Sequence, residues 1–164
     1  MARMGEFASN LQGLPERRYH AGENIITEDQ PAEGLFFLES GTVSITRDGV
    51  EIHQISTPGA IFGEMSYLLD CSATATVKAV DPVIMKIVRE RDDFIQKHPE
   101  TALYTAKILA ARLYSVVRYL VDLKSQYGGR DDHFGMVDDI LDSILNKHPR
   151  EITRELDERD RVDD

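Results

Sequence analysis

The sequence lacks tryptophan, has a single cysteine, Cys71, and is only 7% aromatic over its 164 residues. One cysteine excludes an internal disulfide and agrees with a reducing compartment. Five histidines, at 20, 53, 98, 133 and 148, show no ligand spacing to one another or to Cys71, so no metal site is read. The acids 131/132 and 138/139 lack the interleaved glycine of a calcium loop. No apolar run is long enough to span a bilayer, and the first residues lead into no signal-peptide-like core. The expectation is a cytoplasmic chain without a membrane partner. Positive charge is in short supply: 19 bases face 29 acids, for a net charge of −10. Residues 130–164 hold twelve acids and six bases, so they carry −6 of that total. Nucleic-acid binding needs clustered Lys and Arg, and this tail has the opposite sign. No Ser/His/Asp or Cys/His set has supporting context, and the chain reads as a non-enzyme.

What is present is a core. At 41% hydrophobic and 29% charged residues, the length suits one domain with a short appendage. Phe7, Leu11 and Leu14 stand at helical spacing before Pro15. From residue 22 to 88 the texture is short β-type runs between turn residues. The runs are 24–27, 35–39, 42–47, 51–55, 75–79 and 83–88, with Val43 and Ile45 inward, and Ile52 and Ile55 inward on the return. Asp48-Gly49 supplies the positive φ angles of a tight hairpin, and Pro58-Gly59 turns the chain again. Many short strands at near-regular spacing imply an antiparallel sandwich or small barrel.

From Arg89 onward the period becomes helical. Residues 90–97 predict a short helix ended at His98-Pro99, and residues 99–127 a long one. On it Ala102, Ala106, Leu109, Leu113, Val116, Leu120, Leu123 and Tyr127 alternate in steps of four and three. That heptad seam predicts a parallel homodimer through residues 102–127. Val117 and Val121 widen the apolar face. After Gly128-Gly129, residues 136–146 form an amphipathic pattern, with Val137, Ile140, Leu141, Ile144 and Leu145 on one face. The expected organisation is a domain over 1–127, a linker at 128–135, and an acidic helical tail at 136–164 suited to a protein partner.

The most informative segment is Phe62-Gly63-Glu64-Met65-Ser66-Tyr67-Leu68-Leu69, followed by Ala73-Thr74-Ala75-Thr76-Val77. It resembles the phosphate-binding cassette of the cyclic nucleotide-binding domain family. That cassette reads Phe-Gly-Glu, a short apolar helical turn, then Arg-(Ser/Thr)-Ala-(Thr/Ser)-Val. Ala73 stands where the family has arginine. Gly22-Glu23-Asn24-Ile25-Ile26, the run 35–43 and Pro58-Gly59-Ala60-Ile61 are similar to the family's other strand motifs, so the likeness extends from about residue 14 to 127. It implies a mainly β fold with α: an antiparallel jelly-roll barrel with flanking helices and a long C-terminal dimerisation helix. The implied ligand is cAMP or cGMP, and no other cofactor is read. The implied site is Gly63, Glu64, Met65, Ser66, Ala73, Thr74 and Ala75. Glu64 would accept a ribose 2′-hydroxyl, Thr74 would donate to a phosphate oxygen, and backbone N–H groups near Gly63 would face the phosphate.

The departure at Ala73 removes a buried charge-assisted bond. Lys78, two residues past Thr76 on a run whose inward positions are Ala75 and Val77, points to solvent. Arg112 and Arg118, beside the seam on the long helix, read as a solvated helix face, the alternative being that one of them reaches a pocket of its own or a partner subunit and replaces the missing cation. The plan resembles the sensor half of catabolite activator and Fnr-type transcription factors, without a basic recognition helix in the remaining residues. Two functions follow. One is a stand-alone regulatory, signalling sensor with weak or altered nucleotide binding. The other is a ligand-free dimeric scaffold for protein contacts.

Overall fold

Alternating apolar residues and tight turns build eight strands in the computed structural model, which describes residues 11–90, 94–127 and 139–140. The strands are β1 (Glu16–Tyr19), β2 (Asn24–Ile26), β3 (Leu35–Ser40), β4 (Val43–Arg47), β5 (Val50–Ile55), β6 (Ile61–Phe62), β7 (Thr76–Ala79) and β8 (Val83–Val88). They form two antiparallel four-stranded sheets, ordered β1-β8-β3-β6 and β2-β7-β4-β5. Among the described residues no ladder joins the sheets into a closed barrel. Among the described residues, helices α1 (Glu64–Leu69), between β6 and β7, then α2 (Phe94–Lys97) and α3 (Pro99–Tyr127) follow in the same chain order. The chain falls into two compact units, Met1–Ala102 and Leu103–Asp164, each described by itself.

The core of the first unit draws on both sheets. Phe36, Leu38, Val83, Met85 and Ile87 come from one, and Ile25, Ile26, Val43, Val77 and Ala79 from the other. Phe36, Phe37, Leu35 and Leu38 are fully buried, so β3 is covered on both faces and reads as a continuous apolar run rather than an alternating one. Each such side chain contributes about 1.5–3 kcal/mol by leaving water.

The β4–β5 hairpin turns at Asp48 (φ 50°) and Gly49 (φ 73°), the left-handed pair of a type I′ turn that matches strand twist. Val43 and the half-buried Ile45 face inward, and Ile55 packs against the core. Ile52 does not face in: it is 59% exposed. Counting in twos from Ile55 places Ile52 on the opposite face. The register also shifts there, from Ile45↔His53 to Thr46↔Glu51, leaving Ile52 as the unpaired residue of a bulge.

Strands β1 and β6 add to the expected runs. β1 pairs with β8 through Glu16↔Lys86, and the Lys86 ammonium lies 3.1 Å from the Glu16 carboxylate. That hydrogen bond holds the Glu16 carboxyl below, and Lys86 above, the ordinary value. Leu11 and Leu14 are buried within a turn ahead of β1; Phe7 lies outside the described residues. Phe94–Lys97 are helical as expected and Glu90 is not, while residues 91–93 of the expected helix lie outside the described residues.

α3 runs for 29 residues. Pro99 takes its first position, where a missing N–H costs nothing, and the Ala102 N–H donates to the His98 carbonyl (2.9 Å). Glu100 in the first turn and Lys124 in the last suit the helix dipole. Along the 4-3 seam, Ala106, Leu113 and Val116 are exposed, while Ala102, Leu109, Leu120 and Leu123 are half-buried. Tyr114 and Tyr119 are also exposed, and the Arg118 guanidinium sits 5.9 Å from the Tyr114 ring centroid. The linker 128–135 and most of the 136–164 tail lie outside the described residues. Asp139 and Ile140 are helical and exposed. No helix among the described residues is long and apolar enough to cross a membrane.

Candidate functional site

The cassette begins where β6 ends. Gly63 has φ 76° and ψ 9° and caps α1 without a side-chain hydrogen bond. A Cβ there would lie 3.0 Å from both the Gly34 carbonyl oxygen and Ile26 Cδ1. The position therefore demands glycine twice over, by backbone conformation and by space. The Gly63 carbonyl accepts the Tyr67 N–H (2.9 Å), closing the first helical turn, and α1 ends after six residues at Asp70 in a left-handed conformation (φ 55°, ψ 45°). Asp tolerates that region better than most residues.

Ser66 holds this short helix in place. It is buried, its hydroxyl oxygen accepts the Ala32 N–H (3.1 Å), and its O–H donates to the Cys71 carbonyl. One side chain thus ties α1 to the 28–32 segment and to the loop that leaves the helix. Tyr67, also buried, donates its hydroxyl to the Glu90 carbonyl. The Cys71 thiol faces the Met65 carbonyl at 3.7 Å.

Ala73 is 5% exposed and belongs to the apolar core with Ile26, Ala32, Phe62 and Val77. Its backbone is fully engaged: the carbonyl accepts the Asp29 N–H and the N–H donates to the Gln30 carbonyl, both at 2.9 Å. Thr74 is half-buried, and its hydroxyl lies 3.9 Å from Met65 Sδ. Thr76 Oγ1 accepts the Glu28 N–H (3.0 Å). Glu64 and Ala75 are half-buried and Met65 is exposed. Lys78 is exposed, on the face of β7 opposite the buried Val77 and Ala79.

The fold therefore gathers Gly63, Glu64, Met65, Ser66, Ala73, Thr74 and Ala75 on one loop–helix–loop, braced by residues 28–32. Within this group, Ser66 and the Ala73 backbone are structural ties. Glu64, Met65 and Thr74 are the side chains with surface left to meet a ligand. The contribution of Asp29, Gln30 and Ala32 had no signal in the sequence, because their partners lie more than thirty residues away. Among the described residues, no three His, Cys, Asp or Glu side chains converge as metal ligands would.

Residues 16–97 match the family described as the cyclic nucleotide-binding domain. Over 129 residues the chain is 39% identical to glutaminase 2 of Bradyrhizobium diazoefficiens, a match covering 74% of this chain and 20% of that protein. It is 36% identical over 77 residues to the cAMP-dependent protein kinase regulatory subunit of Yarrowia lipolytica, covering 47% of this chain and 20% of that one. The chain thus spans 20% of the length of either relative. The solved structure of the Thermus thermophilus catabolite activator protein is similar at a TM-score of 0.59 and 28% identity, covering 76% of this chain and 61% of that chain. Two antiparallel sheets, a glycine-capped cassette helix and a long helix after the last strand agree with these matches: the chain belongs to the cyclic nucleotide-binding domain family.

Proposed function

We propose that this chain is a regulatory sensor module, not an enzyme, whose 62–77 cassette binds cyclic nucleotides only weakly. The observation that carries this reading is Ala73: a buried methyl in an apolar core where the family cassette places a cation. Losing one partner of a buried charge pair costs about 2–5 kcal/mol. The remaining contacts would come from the Glu64 carboxylate, the Thr74 hydroxyl and backbone donors near Gly63. Arg112 and Arg118 on α3 stay on a solvated face in this reading.

Signalling would run through a homodimer. The seam over 102–127 leaves Leu113 45% and Val116 47% exposed on a single chain, and an apolar stripe of that length on a helix calls for a partner. The acidic 136–164 segment would serve a protein partner rather than DNA. The similarity to a kinase regulatory subunit supports the regulatory part of the reading, and the single cysteine supports a cytoplasmic setting.

Titration calorimetry of the full chain with cAMP and cGMP tests the reading. Dissociation constants well above micromolar are expected, weakened further by Glu64→Ala. Micromolar wild-type binding would contradict the role given to Ala73. A complete lack of binding would leave a ligand-free dimeric scaffold.

A further inference from the structure

We infer that residues 136–146 of a second copy of this chain pack on a second apolar stripe of α3, so that two α3 helices and two exchanged segments form a four-helix bundle. This rests on the homodimer reading above and names the partner of the acidic segment. Leu103, Lys107, Ala110, Tyr114, Val117 and Val121 alternate in steps of four and three, each one residue after a member of the 102–127 seam. One residue is about 100° of turn on an α-helix, so the two stripes face neighbours roughly at right angles. A helix in a four-helix bundle meets two neighbours in that way. With the first seam given to the other α3, the second is left for a further helix. Leu103 is 59%, Tyr114 64% and Val121 47% exposed, a stripe that calls for a cover.

Charge and exposure select the occupant. Residues 103–121 hold three bases, Lys107, Arg112 and Arg118, and no acid. Residues 136–146 hold three acids, Asp138, Asp139 and Asp142, and no base. Opposite charges at the solvated rim of two apolar stripes fix partner choice and orientation, as flanking positions do in coiled coils. Lys107 and Arg118 are both exposed beside the second stripe. On the segment, Asp139 and Ile140 are helical, and Ile140 is 40% exposed. Ile140 and the stripe are thus both open to solvent within one chain although they complement each other, and a second copy brings them together. The linker permits it: eight residues, 128–135, reach about 26 Å when extended. Packed helices lie only about 8–10 Å apart.

The test is subunit exchange of the full chain, read by native mass spectrometry at low ionic strength. One chain carries Lys107→Glu with Arg118→Glu; the other, isotope-labelled, carries Asp139→Lys with Asp142→Lys. In an exchanged bundle the mixed dimer pairs Glu with Lys on one side and keeps the wild-type pairs on the other. Each pure dimer sets like charges against each other twice. The expected result is mixed dimers well in excess of random pairing, with each pure variant dissociating at least about fivefold more readily than wild type. A control chain with Arg18→Glu and Arg47→Glu carries the same net charge and should pair with the lysine variant at random. Random pairing of the two test variants, with a dimeric wild type, would overturn the inference and leave the homodimer standing. So would an equal excess with the control chain. A monomeric wild type would overturn both.

Discussion

Gly63→Ala separates two reasons for a glycine that usually act together. The residue has φ 76°, and an added Cβ would stand 3.0 Å from the Gly34 carbonyl oxygen and from Ile26 Cδ1. The left-handed backbone alone costs an alanine about 1–2 kcal/mol. Crowding backbone oxygen and a core side chain adds about 1–3 kcal/mol, for a total of roughly 2–5 kcal/mol. Gly22 provides the control. Its φ is 89°, yet nothing lies within 4 Å of the position a Cβ would take, so Gly22→Ala should show only the backbone part. Urea unfolding of the two variants gives the contrast directly, since an unchanged slope lets the midpoints be compared. Gly63→Ala is expected to lose at least about 1 kcal/mol more than Gly22→Ala. Equal losses would refute the claim that β6, the 28–34 segment and α1 meet tightly at this point.

Three further outcomes are expected. Leu113→Glu with Leu120→Glu would place charge in the seam of α3 and convert a dimer to monomers; sedimentation showing a wild-type monomer at tens of micromolar would end the dimer proposal. Duplex DNA should give no gel shift near physiological ionic strength, because the tail repels phosphate; a persistent shift with a steep salt slope would contradict this. Tyr19→Phe should stabilise the fold by about 1 kcal/mol at neutral pH, because the buried Tyr19 hydroxyl has no hydrogen-bond partner among the described residues. Burial raises the Tyr19 pKa above its ordinary value of 10.0. The unfolded phenol therefore ionises first, and stability is constant below pH 10 and falls as pH rises through the raised value, a pH dependence that Tyr19→Phe removes. Urea midpoints across that range check both parts.

The strands that could be read from sequence are those whose inward residues are apolar and whose turns are marked. Val43 and Ile45 before Asp48-Gly49 are an example, as are Val83 to Val88 after Asp81-Pro82. β1 could not be read, because Glu16-Arg17-Arg18-Tyr19 carries three charges. Its place depends on a ladder to β8, seventy residues away, and on the Glu16–Lys86 pair. β6, at two residues, is too short for any period. Ile52 misled because its hydrophobicity suggests burial, while the bulge beside it is a property of the ladder and not of the strand.

The candidate site was legible to the extent that it is local. Gly63, the acidic first turn at Glu64 and the break at Asp70 all act within the cassette, and the apolar Ala73 is visible as a letter. Its burial is not, since that follows from Ile26, Ala32 and Phe62 converging on it from separate strands and loops. Ser66 is similar: its identity is apparent, but its role as a tie to Ala32 depends on a contact 34 residues away.

The central claim is that the Ala73 methyl, and not a collapsed pocket, limits cyclic nucleotide affinity. The most direct measurement is the cAMP dissociation constant of Ala73→Arg against wild type by titration calorimetry. Restoring the charge-assisted bond is worth about 2–5 kcal/mol, which at about 1.4 kcal/mol per tenfold is a gain of roughly 30- to 4,000-fold. The account predicts a gain in that range, part of which Glu64→Ala in the same background removes. An unchanged dissociation constant in a folded Ala73→Arg protein would contradict it.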